Sequence, residues 1–244
     1  MKSAWYLGYS QADVGDRALL AGDPDRVDRI ALLLDDARPM PVKRGLKSVT
    51  GTYAGKAVTA VAFGMGAPIA TVVLHELADL GVKSFMRIGT AMYFAPVAPG
   101  DFVLSDRIAC FEGTSRSYVD DVEAQRADAG LNRAVATAVA AGDAKLHAGT
   151  FATFDAFYRD MFALDAPTQA RVDANRAMLA ERGVVAADME TSALVNAAAA
   201  LDVRFTSLCV GTVDGVTRAK LEPEAMAAAE HRLFTTALNA ITSL

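Results

Sequence analysis

The chain has 244 residues, of which 52% are hydrophobic and 22% charged, with a formal net charge of −5 at pH 7. This length and apolar content predict one large globular domain. The negative charge without a dense Lys/Arg run argues against nucleic acid and against an anionic membrane as partners. The first residues lack a signal-peptide pattern and no apolar run reaches about 18 residues, so we expect a cytoplasmic protein that does not cross a membrane.

The two cysteines, Cys110 and Cys209, are far apart in the sequence and lack CxxC spacing. They indicate neither a disulfide framework nor a zinc site, and we expect both to be reduced core residues. The three histidines occur singly and are interpreted as structural or surface residues.

The first half of the chain alternates strand-like and helix-like segments. Apolar runs predict strands at 17–21, 57–63 and 85–90, and helical spacing predicts helices at 27–34 and 68–80. Residues 42–53 are irregular and partly extended, and 53–56 are typical of a hairpin turn. Pro39 and Pro41 are expected to end the first helical region.

The second half continues the alternation. We predict strands at 102–104, with 107–111 as a continuation, and at 146–151, 184–187 and 203–210. Helices are predicted at 131–141, 168–182, 188–200 and 222–241, a polar surface segment at 112–129 and a loop at 211–220. Helices between strands favour an α/β fold, a single three-layer αβα domain with a parallel or mixed central sheet.

Arg87 is the most unusual residue of this pattern, because it interrupts an apolar strand that burial should fill with uncharged side chains. A guanidinium is almost never buried unpaired, so Arg87 either meets a carboxylate or holds an anionic ligand at the carboxyl end of the strand. Gly89 and Thr90 would supply a close backbone and a hydroxyl beside it.

Two further arginines extend the anion hypothesis. Arg26 follows Gly22 and Pro24 near a helix N-terminus, which favours anions, although such residues are also common in plain turns. Arg44 taken alone is typical of a solvated surface charge. Together the three arginines favour a dianionic phosphate, which accepts forked guanidinium hydrogen bonds.

Three acidic residues follow predicted strands. Asp188 and Glu190 are explained by helix capping, but a carboxylate there is also suited to bind a vicinal diol such as ribose. Asp214 lies just past a strand end and is equally typical of a turn.

These motifs occur together in an order that resembles the nucleoside phosphorylase family, which includes hexameric purine nucleoside phosphorylases and uridine phosphorylases. The motifs are GDPDR at 22–26, RG at 44–45, TGTY at 50–53, GMG at 64–66, RIGT at 87–90, FY at 157–158, DME at 188–190 and VDG at 213–215. Each is weak alone, but in register they cover most of the chain, residues 18–218.

The resemblance implies a role for each matching residue. The phosphate site is matched by Gly22, Arg26, Arg87 and Thr90, and Arg44 matches an arginine that contributes to the phosphate site of the neighbouring subunit. The nucleoside site is matched by Met65, Met189 and Glu190, with Asp188 beside them. Phe157 matches the aromatic residue packed on the base, and Asp214 matches the acid that protonates a purine. The resemblance further implies a homo-oligomer of dimer units that share active sites, assembled as a hexamer as in other members of the family. No metal or organic cofactor is expected, with inorganic phosphate as co-substrate.

The implied reaction is phosphorolysis of a nucleoside through an oxocarbenium-like sugar, giving free base and (deoxy)ribose 1-phosphate. Phosphate would lie against C1′, Glu190 would fix the ribose, and Asp214 would act as general acid. That last role requires the pKa of Asp214 to lie well above its ordinary value.

Three departures from the family bear on the base. Residues 91–94 replace the usual glycine pair, and their side chains are expected to crowd the base pocket. The glutamine and arginine that read uracil are missing after Phe157, and His75 is the first histidine, so the N-terminal active-site histidine of some members is absent. These features favour a purine. The alternatives are a uridine or pyrimidine phosphorylase, a hydrolytic nucleosidase, and a non-catalytic nucleoside-binding protein.

Overall fold

The computed structural model describes residues 2–244, and its central feature is a nine-stranded mixed sheet. The strands are β1 (Arg17–Ala21), β2 (Asp35–Pro39), β3 (Ser48–Tyr53), β4 (Lys56–Ala62), β5 (Ser84–Tyr93), β6 (Phe102–Phe111), β7 (Leu146–Phe154), β8 (Val184–Asp188) and β9 (Arg204–Asp214). The helices are α1 (Pro24–Ala31), α2 (Ala67–Asp79), α3 (Ala129–Ala140), α4 (Phe157–Met161), α5 (Ala166–Glu181), α6 (Thr191–Ala200) and α7 (Pro223–Thr242).

The sheet has an open half and a closed half. In the open half, β1 lies between β4 and β5 and is parallel to both, while β2, β3 and β4 form an antiparallel edge. In the closed half, β5 runs parallel to β9, and the chain of pairs β9, β6, β7 and β8 returns to the last residues of β5. These five strands form a ring. A small apolar cluster draws on all five strands and also includes Val97; its strand residues are Ala91, Tyr93, Val103, Phe151, Ala186 and Cys209.

Helices cover the two faces of the sheet. Apolar residues of α1, α3 and α7 pack into one core cluster, and those of α2 and α6 pack into another on the opposite face. The predicted mixed α/β architecture is therefore confirmed. Within residues 2–244, no helix combines the length and the apolar character needed to span a bilayer.

Strand β2 was not predicted. The sequence predicted a helix at 27–34 in a helical region that Pro39 and Pro41 would end. The helix ends at Ala31, and β2 pairs antiparallel with β3 at the edge of the sheet. Because β2 is largely exposed, its sequence lacks the apolar alternation of a buried strand. Pro39 is tolerated because it occupies the last position of an edge strand.

Two other segments also differ from the prediction. Residues 211–214, predicted as loop, continue β9 beside β5, where Tyr93 packs over the backbone of Gly211. Residues 112–129 are not entirely a surface segment, because Glu112 and Ser115 are buried. The carboxylate of Glu112 accepts hydrogen bonds from the backbone of Ser115 (3.1 Å) and the hydroxyl of Ser192 (2.9 Å), which explains why burial is tolerated.

Candidate active site

A cavity of about 530 Å³ opens where β1, β4, β5, β8 and β9 end. It brings together all the predicted site residues except Arg44 and Asp214. Its lining includes Gly22, Arg26, Met65, Arg87, Thr90, Phe157, Asp188, Met189 and Glu190. β4, β1, β5 and β9 are parallel neighbours whose carboxyl ends meet at one edge of the sheet, and β8 reaches the same place by pairing antiparallel with the last residues of β5. This explains why residues so distant in sequence share one site.

Gly22 occupies a position where two backbones nearly touch. A Cβ added there would lie 2.9 Å from the carbonyl oxygen of Gly64, which closes the loop after β4. The next residues start α1 with regular chemistry, since Asp23 caps the helix by accepting from Asp25 N and Pro24 takes its first position. This start places Arg26 in the first turn, at the edge of the cavity.

Arg87 meets carboxylates, the first of the two alternatives predicted for it. Its side chain is buried, with Nη2 2.5 Å from Glu190 Oε2 and Nη1 3.1 Å from Asp188 Oδ2. Burial alone would lower the pKa of this guanidinium, but the acidic groups around it raise the pKa above its ordinary value. Nη1 also lies 2.8 Å from Cys209 Sγ, whose pKa is raised by burial, so the two carboxylates are the charge partners at neutral pH.

Arg26 is also paired, but at the other end of its guanidinium. Its Nε donates to Glu230 Oε1 at 2.8 Å, and Arg29 Nη2 donates to Glu230 Oε2 at 2.6 Å. The Nη1 atoms of Arg26 and Arg87 converge over Gly89, because a Cβ added there would lie 3.5 Å from each of them. Two cationic groups thus face the same small space beside a residue without a side chain.

Asp188 stabilises the start of α6, and Glu190 binds the backbone of the loop that follows β4. Asp188 accepts from the Thr153 hydroxyl (2.9 Å) and from the Thr191 backbone (3.2 Å) and hydroxyl (2.5 Å), so its oxygens are committed to capping α6 and to Arg87. Glu190 Oε1 accepts from Gly66 N at 2.7 Å. Glu190 therefore links Arg87 to the N-terminus of α2.

The opposite end of the cavity is apolar. Its lining comes from Ala91, Met92, Phe157, Phe162, Val213 and the single hydroxyl of Thr212. The predicted crowding by residues 91–94 is therefore limited to the first two. The side chains of Tyr93 and Phe94 instead lie against Gly211 and Gly215, whose lack of Cβ atoms makes room for them.

Asp214 lies at the end of β9, behind this apolar lining. Its Oδ1 accepts from Thr217 N at 2.7 Å and from Val216 N at 2.8 Å. The Thr217 backbone hydrogen bond, with smaller contributions from Val216 N and the Tyr93 hydroxyl, lowers the pKa of Asp214 below its ordinary value despite some desolvation. This direction is opposite to the one that the general-acid role requires, because a turn of backbone donors stabilises the carboxylate.

The family is decided by the sequence comparisons. The family model for the phosphorylase superfamily matches residues 16–241. The chain belongs to the phosphorylase superfamily. This confirms the predicted family, whose relatives are named as nucleoside phosphorylases of several kinds.

Individual relatives agree with the superfamily match. A guanosine phosphorylase of Halorubrum lacusprofundi is 32% identical over 86% of this chain and 82% of its own length. A uridine phosphorylase of Thermococcus kodakarensis is 31% identical over 63% of this chain and 56% of its own length. The crystal structure of uridine phosphorylase from Vibrio fischeri ES114 superposes with a TM-score of 0.87 at 23% identity, covering 100% of this chain and 98% of that chain, and confirms the fold.

In this phosphorylase superfamily member, Arg44 lies away from the cavity of its own chain. It has a positive φ of 53° in the turn between Lys43 and Leu46, and its guanidinium lies over the ring of Tyr6 at 4.9 Å. The backbone of Tyr6 is in turn held by the carboxylate of Glu76 (2.7 Å). Arg44 is therefore a fixed surface group, and its contribution to a neighbouring subunit stays a prediction.

Sequence reasoning missed Glu230 and Phe162. Glu230 occurs in an alanine-rich helix far from every motif, where a glutamate normally indicates a solvated face. Phe162 packs against Phe157 with the rings tilted by 52° and their centroids 6.0 Å apart, and the aromatic cluster at 154–159 was the signal that could have led to it. Among residues 2–244, no group of three or more His, Cys, Asp or Glu side chains is placed to hold a metal ion.

Proposed function

We propose that this protein catalyses phosphorolysis of the N-glycosidic bond of a nucleoside, giving free base and (deoxy)ribose 1-phosphate. One observation carries the proposal: Arg26 and Arg87 converge over Gly89 in the same cavity as Glu190. Inorganic phosphate fits this space because it is dianionic and takes several guanidinium donors at once. The relatives named guanosine and uridine phosphorylase support the same chemistry.

Phosphate must compete with Glu190 for Arg87. The Nη2 atom of Arg87 is engaged by Glu190 Oε2, so a bound phosphate oxygen would replace that carboxylate oxygen. Glu190 would then be free to accept hydrogen bonds from the 2′- and 3′-hydroxyls of the sugar, with Met65 and Met189 along the ribose. Holding phosphate and sugar in this order brings the nucleophile against C1′, an orientation effect that can supply several kcal/mol.

The apolar end of the cavity would take the base, packed against Phe157. A purine is favoured, because no glutamine and arginine pair follows Phe157 to read uracil. Asp214 is the proposed general acid for the leaving base, a role that requires burial by the bound base to raise its pKa above the lowered value of this structure. Val213 lies between Asp214 and the cavity. Uridine or another pyrimidine nucleoside is the alternative substrate.

A hydrolytic nucleosidase is a second candidate, because both carboxylates on Arg87 weaken its attraction for an anion. The experiment is to incubate the protein with a panel of purine and pyrimidine nucleosides, with and without phosphate, and to follow free base and ribose 1-phosphate. Phosphate-dependent release with formation of the sugar phosphate supports phosphorolysis. Release independent of phosphate supports the nucleosidase, and no release with any nucleoside supports a binding protein.

Arg44 would complete the phosphate site of a neighbouring subunit, in a homo-oligomer of dimer units that assembles as a hexamer. Mixing subunits tests this. Arg44→Ala and Arg87→Ala proteins would each be impaired, but a mixed dimer would hold one intact site, so random mixing should restore about a quarter of wild-type activity. Mixtures no more active than their components would exclude a shared site. Cytoplasmic localisation stays a prediction.

A further inference from the structure

Glu230 is a buried carboxylate on α7, only 4% exposed, that no motif of the sequence singled out. Both of its oxygens are used, Oε1 by Arg26 Nε and Oε2 by Arg29 Nη2. The same face of α7 also carries Phe234, one helical turn later, and the Arg29 guanidinium lies 5.0 Å from the centroid of its ring. The C-terminal helix α7 thus binds the side chains of two successive arginines of α1.

The hydrogen bond to Glu230 determines which atom of Arg26 faces the cavity. Glu230 takes Nε, and Nη1 is the Arg26 atom that reaches the space over Gly89. Within residues 2–244, no hydrogen-bond acceptor is engaged by either terminal nitrogen. Arg87 differs, because its terminal nitrogens are already engaged by Asp188 and Glu190.

The charge of the cluster also matters. A single carboxylate shared by Arg26 and Arg29 leaves this group with a net charge of about +1, so pairing does not cancel the positive field at the cavity. With Arg29 absent, the Arg26 and Glu230 pair would be neutral. Arg29 therefore preserves the attraction of Arg26 for an anion, although its own side chain is partly exposed.

We infer that Glu230 is a positioning residue for the phosphate-binding step, acting through Arg26 and not on substrate. Glu230 is not part of the cavity lining, whereas Arg26 is. The inference rests on the proposed phosphorolysis and adds a residue on α7 to it. It predicts a selective effect. Without Glu230 the Arg26 guanidinium is no longer held in one orientation, which weakens phosphate binding. The nucleoside contacts on β5 and β8 remain.

The test measures kcat and the KM for phosphate and for nucleoside separately. Glu230→Ala should raise the phosphate KM by about tenfold to 100-fold, with the nucleoside KM within about twofold of wild type. Glu230→Gln keeps an acceptor for Arg26 Nε, so it should restore most of the phosphate affinity. Glu224→Ala, an exposed glutamate on the same helix, is the matched control and should match wild type.

Glu230→Ala removes the carboxylate of a buried ion pair and can therefore destabilise the fold. For this reason phosphate binding is also measured by calorimetry on the folded Glu230→Gln and Arg29→Gln proteins. Arg29→Gln should weaken phosphate binding with the fold intact, since it neutralises the cluster. An unchanged phosphate KM in folded Glu230→Ala, or equal losses for both substrates, overturns the positioning role alone. A wild-type protein whose base release ignores phosphate overturns the proposed function as well.

Discussion

The two ends of the cavity are held in different ways. Where Arg26 and Arg87 converge, each guanidinium is tied to a buried carboxylate from a distant element of the fold, and every oxygen of Asp188 is engaged. Where Phe157 and Val213 line the cavity, contacts are apolar and only Thr212 offers a hydroxyl. Buried ion pairs fix geometry but are costly to break, whereas apolar walls tolerate substitution. The first end is therefore suited to the reaction itself and the second to the choice of base.

The largest effect should follow from Arg87→Met. The substitution removes a proposed phosphate donor and leaves Asp188 and Glu190 without their cation, so we expect a loss of about 10³-fold in kcat/KM and a destabilisation of about 3–5 kcal/mol. Steady-state kinetics and urea unfolding measure the two effects.

A second substitution separates stability from function at the same end. In Arg87→Met/Glu190→Gln the uncompensated charge on Glu190 is removed, so stability should recover in part while activity stays lost. Recovery of activity together with stability would mean that Arg87 serves only the fold, and the polar end would then not be the reacting end.

The same comparison explains what the sequence could predict. Arg87 was predictable because a charge inside an apolar strand contradicts its surroundings at a strand end where ligands bind. Its neighbours in the cavity were assigned through the resemblance to the nucleoside phosphorylase family. Glu230 was not predictable, because it meets Arg26 across 204 residues of sequence from an alanine-rich helix. A buried partner of that kind has no local pattern.

The apolar end was harder to predict for other reasons. The lowered pKa of Asp214 comes from backbone N–H groups of a turn, and a sequence does not reveal how a turn directs its donors. The directions of Tyr93 and Phe94 depended on whether Gly211 and Gly215 would lie opposite them, which only the pairing of β5 with β9 determines. Edge strand β2 was missed because exposure removes the apolar alternation.

Glu190→Gln should have opposite effects on the two substrates. Losing the carboxylate weakens the contacts to the sugar hydroxyls, so kcat/KM for nucleoside should fall by about 10²-fold. Phosphate should bind more tightly, because the carboxylate that competes for Arg87 is gone. Calorimetry with inorganic phosphate measures the second effect, and weaker phosphate binding in this variant would show that Glu190 supports the anion site and does not compete with it.

Asp214→Asn tests the proton at the apolar end, with an expected loss of up to about 10² in kcat for a natural nucleoside. A nitrophenyl riboside, whose leaving group needs no proton, is the matched control and should be cleaved equally by both proteins. Equal losses on both substrates would assign Asp214 to the turn alone.

The pH dependence of Asp214 follows from the direction of its shift. Because the folded-state pKa is lowered, the carboxylate stabilises the protein above its ordinary pKa, and this contribution is lost as pH falls through the lower folded value. The stability difference between wild type and Asp214→Asn should therefore shrink in acid, as measured by urea unfolding at a series of pH values. A difference that grows in acid would contradict the lowered pKa.

The smallest effect should come from Phe157→Ala. An aromatic contact with the base is worth about 0.5–1.5 kcal/mol, so the nucleoside KM should rise by up to about tenfold. The phosphate KM should stay unchanged, because Phe157 lies on α4 at the apolar end, away from the converging arginines. Its neighbour Tyr158, which is 70% exposed, supplies Tyr158→Ala as a control without effect on either constant. A change in phosphate KM would mean that the two ends do not act separately, since the loss of an aromatic side chain at the apolar end would then alter phosphate binding by Arg26 and Arg87.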